Sequence, residues 1–240
     1  MVTLTVLASG SAANAVVAAS KKTAILLDCG LPAKSLYRAL AERGFFPDQI
    51  DAVCLTHEHN DHAAGIRAFA KEFNVPVCMT PGTFQQIAWG FVPRICGGVV
   101  GDLRLKTFRV SHDAIDPVGW VVETSHDGDC AGYLVDTGYI EPHYYAALFA
   151  CRELLIESNH DADMLAAGPY HPSVKTRVAG PAGHLSNEQV AEFIEQEMPR
   201  SVKRLILGHI SSTANTRELA HAVAAQAIKR AGLQMKLEVA

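Results

Sequence analysis

The sequence predicts a mixed α/β fold in which two sheets pack together with helices outside. Three observations predict it. Short apolar runs of strand length recur along all 240 residues. Strands come first and then alternate with segments of helical periodicity, once up to about residue 110 and again after it. No linker, repeat or low-complexity stretch separates the halves, so one domain spanning residues 1–240 is expected.

The elements follow in order. Thr3–Ala8 and Ala15–Ala19 read as strands joined by a polar loop, Ser9–Asn14. Thr23–Leu27 is a third strand, ending in Asp28-Cys29-Gly30. Pro32 opens a helix to about Arg43, with Gly44 as its stop. The buried strand Ala52–Leu55 runs into Thr56-His57-Glu58-His59-Asn60-Asp61-His62. Ala63–Phe73 has apolar residues at helical spacing, Val75–Met79 is a short strand, and a helix runs from Pro81 to about Trp89. Leu103–Val110 is a strand ending in Ser111-His112-Asp113. Gly119–Thr124 and Cys130–Val135 form a hairpin across Asp127-Gly128, and the second strand leads into Asp136. A helix follows Pro142, and a strand covers Glu153–Glu157. The Gly- and Pro-punctuated stretch from Gly168 to Gly183 reads as a long loop. Ser186 with Gln189 makes a capping box for a helix to about Met198. Lys203–Leu207 is a strand leading to Gly208-His209, followed by a helix over about Asn215–Ala231 and a strand near Met235–Val239.

Composition narrows the function classes. Apolar residues are 49% and charged residues 19%, which fits a globular chain. The formal charge of -4 argues against pure non-specific nucleic-acid binding, but not against a nuclease whose metal brings positive charge. Six cysteines stand singly, with no C-x-x-C pair, and read as free thiols. No run is long enough for a membrane span, and no basic segment precedes the apolar N-terminal residues, so the expected address is the cytoplasm, without membrane contact.

The unusual residue is histidine, of which there are 11. His57, His59, Asp61 and His62 lie at the end of one strand, and His57 and His59 share a face because the strand period is two. Asp61 and His62 can turn toward a second, neighbouring metal. His112, Asp136 and His209 each follow another strand, and strand ends at one sheet edge are where ligands gather. Asp136 is the natural bridge, since a carboxylate offers one oxygen to each of two ions. His126, His143, His171 and His221 lack such a context and read as surface residues.

Taken together, these motifs resemble those of the metallo-β-lactamase superfamily. The likeness covers nearly the whole chain and keeps the order Asp28, His57–His62, His112, Asp136, His209. It implies a four-layer αββα sandwich with a dinuclear site. One metal would be held by His57, His59 and His112, the other by Asp61, His62 and His209, with Asp136 bridging. Asp61 would also count as catalytic, and Asp28 as an orienting partner. Leu7–Ser11 with Asn14, Glu157–Asp161, Gly183–Asn187, and Leu207–Ser211 with Asn215 resemble the YycJ (WalJ)-like branch. That likeness implies a bacterial 5′-to-3′ exonuclease on double-stranded DNA. Cys29 and Ala12-Ala13 depart from residues common there.

In a phosphodiesterase of this kind, two bound metals would acidify a water for attack on phosphorus. His184 is the candidate acid for the leaving 3′ oxygen. Ser11, Asn14, Asn159, His160, Ser186 and Asn215 are candidates for orienting ligands or meeting substrate. Lys175 and Arg177 read first as solvated loop charges, and Arg104 with Lys106 as a wet strand face. The ions are two divalent metals: Zn or Mn suits the mixed His/Asp set, and Fe is compatible. The competing readings are a small-molecule hydrolase (cyclic phosphodiester, lactone or thioester) and a non-catalytic binding protein on the same fold.

Overall fold

The structure, a computed structural model, describes residues 1–87 and 98–240. It is a mixed α/β protein with its strands in two sheets. By residue contacts it divides into two compact units: residues 1–109 with 114–131, and residues 110–113 with 132–240.

The first unit contains a five-stranded sheet in the order β1 (Thr3–Ala8), β2 (Ala15–Ala19), β3 (Ala24–Leu27), β4 (Ala52–Cys54), β5 (Val77–Cys78). β1, β2 and β3 are antiparallel, while β3, β4 and β5 are parallel. The parallel pairing aligns Leu27 with Cys54, so Asp28 and the Thr56–His62 run leave the sheet at one edge. α1 (Ala33–Glu42) and α3 (Ile66–Phe73) supply Leu36, Leu40, Ile66 and Phe69 to a core completed by Val17, Leu26 and Val53. The helix expected over Ala63–Phe73 is interrupted: α2 (Asn60–Ala63) ends before Gly65, and α3 begins after it. A Cβ at Gly65 would lie 2.2 Å from the Leu31 carbonyl oxygen, so the close approach of the Leu31 segment requires glycine. α4 (Pro81–Ile87) follows, and the part of the helix expected beyond Ile87, like Cys96, lies outside the described residues.

The same unit holds an antiparallel run in the order β8 (Val118–Thr124), β7 (Leu103–Arg109), β6 (Gly98–Val100); β6 has no counterpart in the sequence reading. Trp120, fully buried on β8, donates from Nε1 to the Leu55 carbonyl at 3.1 Å. Val118 N–H donates to the Thr56 carbonyl at 3.1 Å. These two bonds fix the start of β8 to the residues that precede His57. The turn after β8 closes as expected, with Thr124 N–H bonded to the Asp129 carbonyl. Arg104 and Lys106 both pair with Glu123 across the strands, which accounts for that face without a ligand.

β9 (Cys130–Leu134) carries the chain from the first unit into the second. There α5 (Pro142–Leu148) precedes β10 (Glu153–Glu157), and β10, β11 (Arg204–Gly208) and β12 (Lys236–Val239) pair in parallel. Glu157 aligns with Gly208, so the ends of β10 and β11 bring Glu157 and His209 side by side. α8 (Asn187–Gln196) starts at Ser186, whose hydroxyl accepts from Gln189 N–H while the Gln189 amide oxygen accepts from Ser186 N–H: the expected capping box. α9 (Arg217–Arg230) buries Ala220, Ala224 and Ala227 along one face.

The long loop expected from Gly168 to Gly183 is corrected by the structure. α6 (Ala162–Ala167) is capped by Asp161, and α7 (Pro172–Val178) lies inside the stretch. Pro172 occupies a first-turn position, where its missing N–H costs nothing and its fixed φ suits a helix. The proline that reads as a loop marker is here a helix start. All five described cysteines are buried, and none is joined in a disulfide to another described cysteine.

Arg204 on β11 bonds Glu153 on β10 and Glu238 on β12, each at 2.8 Å. The Arg204 guanidinium holds the Glu238 carboxyl down at about 2. A depressed carboxyl stabilises the fold above its ordinary value near 4.5, and that contribution is lost as pH falls toward 2. In urea unfolding, E238Q is expected to be less stable than the parent at pH 7, with the gap closing between pH 4.5 and pH 2. A gap independent of pH would refute the linkage.

Candidate metal-binding residues

In the first unit the site is organised around Asp28, which has no exposed surface. Its Oδ1 accepts from Thr56 N–H at 2.8 Å and from the Thr56 hydroxyl at 3.0 Å. Its Oδ2 lies 2.8 Å from His62 Nδ1. Thr56 Oγ1 also lies 2.9 Å from His57 Nδ1. One carboxylate and one hydroxyl therefore set the ring planes of both histidines through their Nδ1 atoms. This is how outer partners commonly orient imidazole ligands.

The Ser9–Asn14 loop contributes Asn14, which is 1% exposed. Its side chain closes the loop through Gly10, with Oδ1 accepting at 3.0 Å and Nδ2 donating at 3.1 Å. Nδ2 also lies 3.0 Å from His62 Nε2 and 3.4 Å from Asp61 Oδ2. Asp61 Oδ2 itself is 3.3 Å from His62 Nε2, so a carboxylate oxygen and an imidazole nitrogen converge. The backbone is equally tight: Asn14 N–H donates to the Asp61 carbonyl at 2.7 Å, and Cys29 N–H to the His62 carbonyl at 2.7 Å. A Cβ on Gly30 would come within 1.7 Å of the Asp61 carbonyl oxygen, so only glycine fits. The His57 ring stands 4.6 Å from His59 and 4.3 Å from His62, centroid to centroid. The structure thus gathers Asp28, His57, His59, Asp61, His62 and Asn14. Ser11 is exposed in the turn.

In the second unit Asp136, Glu157, His184 and His209 present donor atoms that all lie within 4.8 Å of one another. Asp136 Oδ1 is 3.0 Å from His184 Nδ1 and 3.3 Å from His209 Nδ1. Glu157, fully buried, accepts through Oε1 from Thr137 N–H at 2.7 Å and Leu185 N–H at 3.1 Å. Its Oε2 lies 3.2 Å from His184 Nδ1 and 3.4 Å from His209 Nδ1. Burial opposes charge on His184, but hydrogen bonds to Asp136 and Glu157 outweigh it and raise the imidazole to about 10. Burial likewise works against the Glu157 anion, while His184 and His209 hold that carboxyl below its ordinary value.

His112 donates from Nδ1 to the Gly183 carbonyl at 3.1 Å, which selects Nε2 as its acceptor nitrogen. Burial lowers its basicity. Asn159 donates to the His209 carbonyl at 2.9 Å and lies 3.3 Å from its Nδ1. Asn215 belongs to a closed amide network: its Nδ2 donates to the Ser158 carbonyl at 2.8 Å and to Asn187 Oδ1 at 2.9 Å. Ser186 is the helix cap already described, and His160 pairs with it along the backbone. Asn215 and Ser186 are thus engaged in holding the loops together. His126, His143, His171 and His221 are exposed, as the sequence reading has them.

Asp28, Asp136 and His209 all adopt left-handed backbone conformations, with φ of 59°, 54° and 51°. Each follows a strand, and the turn redirects its side chain. Such conformations cost of order 1 kcal/mol and cluster at functional sites. Sequence reasoning missed Glu157 as a site residue. The readable signal was a carboxylate closing the apolar run Leu154–Ile156, immediately before Ser158-Asn159-His160-Asp161.

The donor chemistry fits divalent metal ions. Imidazoles are fixed through one nitrogen by Thr56, Asp28 or Gly183, and carboxylates Asp61 and Asp136 stand beside imidazole nitrogens.

Comparison with known proteins agrees with this chemistry. The family model of the metallo-beta-lactamase superfamily matches residues 8–129. The chain is 31% identical to the exodeoxyribonuclease WalJ of Streptococcus pneumoniae, over 95% of this chain and 88% of that one. It is 27% identical to the exodeoxyribonuclease YycJ of Bacillus anthracis, over 95% and 89%. Among solved structures, the metallo-beta-lactamase fold protein YhfI of Bacillus subtilis superposes with a TM-score of 0.72 at 17% identity, covering 99% of this chain and 95% of that one. The fold is therefore that of the metallo-β-lactamases, and the chain belongs to the metallo-β-lactamase superfamily, in its YycJ-like branch.

Proposed function

We propose that this metal-dependent hydrolase is a 5′-to-3′ exonuclease on double-stranded DNA, working through a dinuclear centre within one domain. The observation that carries the reading is the pairing of His184 with Asp136 and Glu157, which places an imidazole N–H beside residues that can hold metal. Identity of 31% to a relative named as an exodeoxyribonuclease supports DNA as the substrate. His57, His59 and His112 would hold one ion and Asp61, His62 and His209 the other, with Asp136 shared; Zn or Mn suits this set, and Fe is compatible. Bound ions supply Lewis-acid charge for a phosphate oxygen and an acidified water.

The chain's own residues do the rest. Asp28 and Thr56 orient His57 and His62, and Asn14 ties Asp61 and His62 to the first loop. Asn159 fixes His209. His184 gives its proton to the departing 3′ oxygen, and Glu157 positions that imidazole and favours its charged form. Among the described residues five buried cysteines without a disulfide fit a reducing compartment such as the cytoplasm, and no helix is long and apolar enough to cross a membrane.

End-labelled duplex DNA with added Mn²⁺ or Zn²⁺ tests the reading. Nucleotides should be released from the 5′ end in a metal-dependent way, and D61A should lower the rate by at least about a hundredfold with loss of bound metal. A folded, metal-loaded protein that cuts no DNA would shift the assignment to a small-ester hydrolase.

E157Q tests the positioning role. It should lower kcat by about 10–100-fold with KM unchanged. It should also bring the metal-free His184 pKa, read by NMR, down toward its ordinary value of 6.5. An unmoved His184 pKa would exclude the role.

A further inference from the structure

Within the second unit, a cavity of about 480 Å³ lies between α6 and α7. Leu165, Ala166 and Pro172 give it apolar walls, while Lys175 and Thr176 add polar groups. Lys175 Nζ reaches across from α7 to the Ala166 carbonyl of α6, so an ammonium stands at the cavity. His160 also lines it; this residue is 3% exposed, and its Nδ1 has no hydrogen-bond partner among the described residues. Buried polar atoms of this kind are commonly met by an ordered water or a ligand group.

The position of His160 ties the cavity to the reaction. The residue before it, Asn159, holds His209. The His160 carbonyl accepts from Asn187 N–H at 2.8 Å, and its backbone pairs with Ser186, two residues after His184. The cavity wall is therefore continuous with the segment that carries the proposed acid.

We propose that this cavity receives the terminal nucleotide of the strand being degraded and holds the deoxynucleoside 5′-monophosphate as it is released. The chemistry matches that ligand part by part. A base offers a flat apolar face to Leu165, Ala166 and Pro172. Its polar edge, or a water held on it, completes the hydrogen bond of His160 Nδ1 with help from Thr176. Lys175 supplies the cation for the phosphate. The volume accommodates one nucleotide and not a duplex. This inference rests on the nuclease reading.

Thymidine 5′-monophosphate, titrated into protein labelled with ¹⁵N at histidine, should shift the His160 ring signals. A166W fills the cavity from an exposed helix position. It should abolish that shift and raise KM for duplex DNA by about tenfold or more. Hydrolysis of bis(p-nitrophenyl) phosphate should be unchanged, and T176W should reproduce the result if A166W fails to fold. If DNA is degraded while the nucleotide leaves His160 unmoved and A166W keeps the parental KM, the cavity proposal is overturned and the nuclease reading stands. If the nucleotide shifts His160 but no DNA is cut, the cavity is a nucleotide site and the nuclease reading falls.

Discussion

Asp28 and Glu157 are carboxylates with no exposed surface, and a buried anion must be met by donors or it destabilises the fold. Each is met in the same way. A main-chain N–H from a neighbouring turn takes one oxygen, at Thr56 for Asp28 and at Thr137 and Leu185 for Glu157. The other oxygen faces imidazole nitrogen, at His62 for Asp28 and at His184 and His209 for Glu157. The carboxylates are thus held by the backbone and in turn hold the histidines. Everything proposed for the chemistry depends on this order of support, because an imidazole orients a metal or a proton only when its own plane is fixed.

Parallel strand pairing creates the places where this support can be built. β3 aligned with β4, and β10 aligned with β11, each release two chain segments at one edge, side by side. The residues that follow need to turn sharply there. Asp28, Asp136 and His209 do so with positive φ, an uncommon conformation that aspartate and histidine adopt more often than most side-chain-bearing residues. In the first unit, the core of buried aliphatic side chains and Phe69 beneath α1 and α3, and the buried Trp120 on β8, anchor the strands against which the Asp28 turn is strained.

Much of this was legible in the residues. His57, His59, Asp61 and His62 crowd into six positions at a strand end, and His112, Asp136 and His209 repeat the strand-end setting. The capping box at Ser186 and Gln189 is a local device, so its reading from sequence carries over directly to the structure. Where local cues were ambiguous, the reading was less complete. Pro172 suits a loop or a helix start equally, and the packing of Leu165, Val178 and Ala214 with Val174 selects the helix. The break at Gly65 depends on the Leu31 carbonyl, more than thirty residues away in sequence. Glu157 was passed over because its partners, Thr137, His184, Leu185 and His209, are scattered through the chain.

The sequence by itself determined most of the strand and helix pattern, the clustering of metal-binding residue types and the resemblance that places the family. These depend on periodicity and on neighbours within a few residues. The tertiary structure decided which carboxylate orients which imidazole, that His184 sits within hydrogen-bond distance of both Asp136 and Glu157, and that His160 lines a cavity between two helices. The physical reason is that a buried charge or an unpartnered nitrogen is defined by what surrounds it. Those surroundings come from segments that only folding brings together.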